Sequence, residues 1–222
     1  MTVTNPKISF QSPEYLIVNK SAGDLSQKAE DGESGVQEAL LADYPKGHML
    51  TRLDRPVGGV MIYSLSADFQ KHYLQQQKSG KVLKEYLAIV AGKVTASGSE
   101  YIKVTHYHKH DHKRKRALIS DIENKGDKVD LEYRVIHQLD NYTVLMVRLY
   151  RGKFHQIRAQ LSFLGFPIKG DVKYGARRRN PTRHIHLHAY QLSFLGLDYE
   201  TITHTTLPPS DDSLWTIVNA NI

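Results

Sequence analysis

Apolar residues run unbroken from Tyr15 to Val18 and give way to Asn19 and Lys20, then to Ser21, Ala22 and Gly23. A short apolar run closed by turn formers reads as a strand entering a turn, here over 15–20. Val36, Ala39, Leu40 and Tyr44 recur at helical spacing and predict a helix over 35–43. A second strand is expected over 59–64. Ser66 then stands as a helix N-cap, Phe69 and Tyr73 share a helical face, and Gly80 supplies the stop. Over 84–94 the pattern alternates. Glu85, Leu87, Ile89 and Ala91 fall on one face of a strand, and Lys84, Tyr86, Ala88 and Val90 on the other.

Two runs, 129–138 and 142–150, flank Asp140-Asn141 and predict a hairpin. The second arm is so continuously apolar that it belongs inside a sheet covered on both faces. Over 154–164, Phe154, Ile157, Leu161 and Leu164 form one helical stripe closed by Gly165; His155, Arg158 and Ser162 form the stripe beside it. A late strand is expected over 185–195. Strands outnumber scattered helices without regular alternation, which indicates an α+β fold.

With 222 residues the chain can bury a proper core, and a single domain, 1–222, is expected. The absence of cysteine excludes disulfides, thiolate catalysis and Cys-ligated metal sites. No apolar run approaches the roughly 18 residues of a membrane span, and the first ten residues lack the pattern of a secretory signal. These features predict a soluble, cytoplasmic protein. The net charge of +7 is unevenly placed: residues 103–183 hold 19 Lys and Arg against 8 Asp and Glu. A basic segment on a nearly neutral body is the electrostatic footprint of a polyanion partner, and nucleic acid fits the interleaved aromatic residues.

Candidate chemistry centres on Arg52-Leu53-Asp54-Arg55, followed by Pro56-Val57-Gly58-Gly59. A carboxylate between two guanidinium-bearing residues is favoured in its charged, nucleophilic form. The glycines allow a tight turn or the close approach of a ligand.

Four blocks in sequence order resemble the RluA-type family of RNA pseudouridine synthases. They are Val18-Asn19-Lys20-Ser21-Ala22-Gly23; Arg52-Leu53-Asp54-Arg55 with its glycines; Lys84-Glu85-Tyr86-Leu87-Ala88-Ile89-Val90-Ala91-Gly92; and His155-Gln156-Ile157-Arg158, followed by Gly165 to Asp171 and Tyr174. The resemblance implies a mixed, mainly antiparallel sheet flanked by helices, with a central RNA-binding cleft in which Asp54, Tyr86 and Arg158 meet. Asp54 would attack the target uridine, Tyr86 would stack on its base and help move the C5 proton, and Arg158 would pair with Asp54 above Ile157. It implies no metal and no organic cofactor. The target base must leave its stack to be reached. Further RNA contacts are expected from Arg52, Arg55, Lys153 and His155, from Lys113, Arg114 and Lys115, and from Arg177, Arg178 and Arg179.

The sequence departs from the family at Thr51 and Gln160, where His is usual, at Gly58, where Ser is common, and at Lys153, where Arg is common. No separate RNA-binding domain is expected ahead of the catalytic one. The partner is expected to be structured ribosomal or transfer RNA, bound by a monomer. The histidines of His106-Tyr107-His108-Lys109-His110-Asp111-His112 alternate and could face a metal, but the five cations among residues 106–116 favour an RNA grip. His184, His186 and His188 also alternate, as structural or RNA-facing groups. Two other readings stand beside the synthase: a catalytically idle RNA-binding or ribosome-assembly protein, and a metal-dependent hydrolase built on the histidines.

Overall fold

The apolar runs become strands and the capped periodic stretches become helices in the computed structural model, which describes residues 6–95, 100–182 and 184–222. Residues 1–5, part of the stretch without a secretory signal, and Arg183, the end of the basic segment, lie outside the described residues. In chain order the elements are β1 (Lys7–Gln11), β2 (Tyr15–Lys20), α1 (Val36–Asp43), β3 (His48–Met49), β4 (Gly58–Ser64), α2 (Ala67–Ser79), β5 (Leu83–Ala91), β6 (Ile102–Asp111), β7 (Arg116–Ser120), β8 (Asp127–Gln138), β9 (Tyr142–Leu149), α3 (Gln156–Phe163), a 3-10 turn (Val172–Tyr174), β10 (Leu187–Leu195), β11 (Thr201–Thr205) and α4 (Ser213–Asn219). The content is α+β, with mixed and mainly antiparallel strand pairing.

The chain forms two units: Met1–Lys84 with His188–Pro208, and Glu85–Leu187 with Pro209–Ile222. In the first, β2 lies antiparallel between β1 and β4, β10 runs parallel to β4, and β11 pairs with β10. Helix α1 sets Val36 and Leu40 against Leu16, Val18, Met61 and Tyr63. Ser66 caps α2 by accepting from the Phe69 N–H, and Gly80 ends it in the left-handed conformation. The ring of Phe69 then stacks on Tyr15 with centroids 4.8 Å apart.

In the second unit the strand order is β5-β9-β8-β6-β7. Strand β9 is buried from Thr143 to Val147, as its continuous apolar run requires. Strand β5 is buried on both faces from Leu87 to Val90, so its alternation does not mark a wet side. Helix α3 differs from its expected start. His155 takes a left-handed φ of 52°, so the helix begins at Gln156 and Phe154 leaves the apolar stripe, 38% exposed. From Gln156 to Leu161 every side chain is buried, polar ones included.

The glycine pair serves strand packing. Gly59 has φ 120°, and a Cβ there would stand 2.2 Å from the carbonyl oxygen of Ala189, its partner in β10. Backbone cannot yield as a flexible side chain would. Gly59→Ala is expected to cost at least about 3 kcal/mol in urea denaturation. Gly32→Ala, also at positive φ but with open space around it, is expected to cost only about 1 kcal/mol.

Candidate active site

The segment between β3 and β4 carries Arg52, Leu53, Asp54 and Arg55, and its backbone is held at Leu50, Leu53, Asp54 and Arg55. Leu50 N–H donates to Ile62 O, and Thr51 Oγ1 accepts from the Ile62 N–H at 3.0 Å, so the threonine is a buried backbone partner. Ser26 Oγ accepts from Leu53 N–H at 3.0 Å and donates to Leu53 O at 2.8 Å. The turn closes from Val57 N–H to Asp54 O at 3.0 Å, and Gly23 N–H donates to Arg55 O at 2.7 Å. Asp54 itself is half-buried.

Lys20, at the end of β2, is the buried cation of this loop, only 2% exposed. Its Nζ donates to the carbonyls of Ser21 at 2.9 Å, Asp24 at 2.8 Å and Arg55 at 3.4 Å. Burial lowers its pKa to about 8, against the pull of the Asp24 and Asp54 carboxylates. The flanking guanidinium groups have partners of their own. Arg55 makes a two-pronged pair with Glu33, 2.9 Å in each prong, and Arg52 donates to Gln27 at 3.2 Å.

In the second unit, Tyr86 stands half-buried on β5. Its strand is held through the opposite face. The Glu85 carboxylate accepts from Arg148 Nε at 2.7 Å and from Tyr101 OH at 2.9 Å. Arg158 projects from the first turn of α3 into a buried pair with Asp171. Nε donates to one carboxylate oxygen at 2.7 Å and an Nη to the other at 2.9 Å, with side chains 6% and 2% exposed. The Tyr174 ring lies 5.1 Å from this guanidinium, and its hydroxyl accepts from Ala117 N–H and meets His155 Nδ1 at 2.9 Å. Burial, with Arg158 and Lys173 nearby, pushes the His155 pKa down to about 3, so the ring is neutral.

The departures from the family pattern are locally compensated. Gln160 donates to His106 Nδ1 at 2.9 Å, both being buried, and burial keeps His106 below its usual range and able to accept. Lys153 reaches Asp127 at 2.8 Å. Ile157 is buried, whereas Lys113, Arg114, Lys115, Arg177, Arg178 and Arg179 are exposed. His186 and His188 are structural. The first sits between Asn180 and Asp212, and the second is within 2.9 Å of the Thr206 carbonyl. Both are buried, which removes the RNA-facing alternative for them. Among the described residues no group of three or more His, Asp or Glu could hold a metal ion. No described helix is long and apolar enough to cross a membrane.

Lys20 and Asp171 were quoted within the sequence motifs without a role. Lys20 carries a visible signal, a cation closing a strand that is apolar from Tyr15 to Val18. Asp171 gave none, because its partner lies on a helix 13 residues earlier.

The fold is that of a human protein described as RNA Pseudouridylate Synthase Domain Containing 1, with a TM-score of 0.75 at 21% identity over 99% of this chain and 96% of that one. The human RNA Pseudouridylate Synthase Domain Containing 4 gives 0.73. Residues 14–163 match the RNA pseudouridylate synthase family, and the chain belongs to it. Its curated relatives include the ribosomal large subunit pseudouridine synthase D of Vibrio parahaemolyticus, 28% identical over 182 residues, which are 79% of this chain and 54% of that protein. The Haemophilus ducreyi protein of the same name is 29% identical over 180 residues, 78% and 51% of the two chains. The chain thus spans about half the length of the curated relatives it matches.

Between about pH 8 and 10.5 the unfolded chain retains the Lys20 proton that the folded chain releases, so stability rises with pH. That gain is about 3 kcal/mol. Burial lowers the Lys84 pKa to about 8 as well, so urea denaturation across the window is expected to show the Lys20 share as the amount by which the rise is smaller in Lys20→Met. Asp171→Ala leaves Arg158 buried without this carboxylate and is expected to lose about 3–5 kcal/mol in the same assay at pH 7.

Proposed function

We propose that the chain isomerises uridine to pseudouridine in structured RNA, with Asp54 as the nucleophile. The observation that carries this reading is the Asp54 loop, whose backbone is bonded on both sides of the carboxylate while the side chain stays half-exposed. Such a loop spends little entropy in presenting its carboxylate to a substrate. The chemistry asked of it is a net exchange of bonds on one nucleotide. The bond from N1 to the ribose breaks, a bond from C5 to the same ribose carbon forms, C5 loses its proton and N1 gains one.

A base in an RNA helix hides that ribose carbon, so the reaction needs an extruded nucleotide. Tyr86 is assigned the stacking surface for the extruded base, with a part in removing the C5 proton. Arg158, already oriented by Asp171, is assigned the cation that pairs with the Asp54 carboxylate. The exposed clusters at Lys113 to Lys115 and Arg177 to Arg179 are suited to phosphates, which position RNA without reading its sequence. The reading takes the protein as a single, monomeric, cytoplasmic catalytic domain that needs neither metal nor organic cofactor. The curated relatives named for the ribosomal large subunit support ribosomal RNA as the first substrate to try, ahead of transfer RNA.

Tritium release from RNA labelled at C5 of uridine tests this directly. Wild-type protein is expected to release tritium from a ribosomal RNA transcript in the presence of a chelator. Asp54→Asn is expected to fall below about one-thousandth of that rate while still binding RNA. Binding without release from ribosomal or transfer RNA would establish an idle RNA-binding protein, and loss of release on chelation would restore the metal-dependent reading.

A further inference from the structure

Strands β6 and β7 form a hairpin whose histidines join a run of aromatic rings. The rings of His112 and His110 lie 3.9 Å apart between centroids, those of His110 and Phe154 4.1 Å, and those of Phe154 and His155 3.8 Å. With interplanar angles of 36°, 30° and 20° in the same order, four rings from two segments make one continuous array, stacked at Phe154–His155 and tilted in the outer two pairs. Its inner end is fixed, since His155 meets the Tyr174 hydroxyl and His108 Nε2 stands 2.8 Å from the Phe154 carbonyl. Its outer end, His112, is exposed.

Beside that outer end is an open groove of about 650 Å3, lined by His110 and His112, by Leu118 and Ile119, by Lys109 and Lys125, and by Asp127, whose carboxylate is paired with Lys153. Its size falls within the range of small-ligand sites. An unfinished aromatic stack, an apolar floor and two ammonium groups match the parts of a nucleotide: a flat base, a sugar face and a phosphate. Stacking on aromatic side chains tolerates any base, because every base has a π-face. The neighbouring Lys113, Arg114 and Lys115 add positive charge along the same hairpin.

We infer that this hairpin holds a second base-stacking site, which takes an unpaired RNA base other than the one that reacts. The base extends the ladder at His112, and its phosphate lies between Lys109 and Lys125. The inference rests on the proposal that the chain binds RNA, and it adds a contact to a base that is not the one isomerised.

The test uses single-stranded 12-nucleotide RNAs carrying one 2-aminopurine, moved along the strand, and the same RNAs with an abasic residue at that place. Wild-type protein is expected to quench the fluorophore strongly at one position. His112→Ala and Phe154→Ala, both at exposed rings, are expected to abolish that quenching and weaken binding about tenfold. The abasic RNA should weaken wild type by a similar factor and the variants no further. Lys113→Ala should weaken all the RNAs alike and leave the quenching in place. Protein that binds and isomerises RNA with quenching unchanged in His112→Ala would overturn this inference alone. Protein that binds no RNA would overturn the proposed function with it. Zinc ion bound through His110 and His112, with RNA binding indifferent to both, would make the hairpin a metal site and end the inference.

Discussion

Lys20 brings a charged group to a place where almost none of its surface meets water, and the loop that carries Asp54 is organised around it. Moving an ammonium group out of water costs several kcal/mol, and it is tolerated only where hydrogen bonds replace hydration. Here the carbonyls of Ser21, Asp24 and Arg55 do so. These oxygens come from two separate segments, the turn after β2 and the loop before β4. One ammonium group therefore ties the turn to the loop, and the Gly23 N–H to Arg55 O bond repeats the tie. An apolar residue at position 20 would remove this partner from all three carbonyls. The geometry of the Asp54 segment is in this sense built from β2 outward.

The second unit solves a similar problem with a guanidinium. Helix α3 buries Gln156, Arg158 and Gln160 along with its apolar residues, and each polar group is answered. Gln156 donates to the Asp130 carbonyl and to Gln160, Gln160 donates to His106, and Arg158 is gripped by Asp171. A satisfied buried network fixes side-chain orientation in a way that apolar packing does not. That is the service a charged group needs if it is to act on a substrate. It also accounts for the residues that depart from the family pattern. Gln160 and His106 form one pair, and the Thr51 hydroxyl oxygen accepts from the Ile62 N–H.

Much of this was legible in the sequence. Strands over 15–20 and 59–64, the Ser66 cap and Gly80 stop of α2, and the hairpin of β8 and β9 follow from runs and caps that local physics dictates. The helix after Phe154 was placed two residues early, because helical spacing gives no sign that His155 turns left-handed. Strand β1 was not read, since its residues are all exposed and so carry no burial pattern. Helix α4 is only seven residues long and rests on an Asp212 cap and on Trp215 packed near His186. At the candidate site, Asp54, Tyr86 and Arg158 are singled out by their motifs. Ser26, Glu33 and Asp171 carry no such sign, because each depends on contacts made only when distant segments fold together, whereas Lys20 shows as a cation closing a largely apolar strand.

The account stands or falls on whether the half-exposed carboxylate of this pinned loop reacts with RNA. A single-turnover reaction, quenched in acid and digested with trypsin, allows the peptide containing Asp54 to be weighed directly. The account predicts a transient mass increase, from a nucleotide fragment joined through an ester to Asp54, that rises and decays as pseudouridine appears. Pseudouridine formed with no such adduct on Asp54, or with the adduct on another residue, would contradict it.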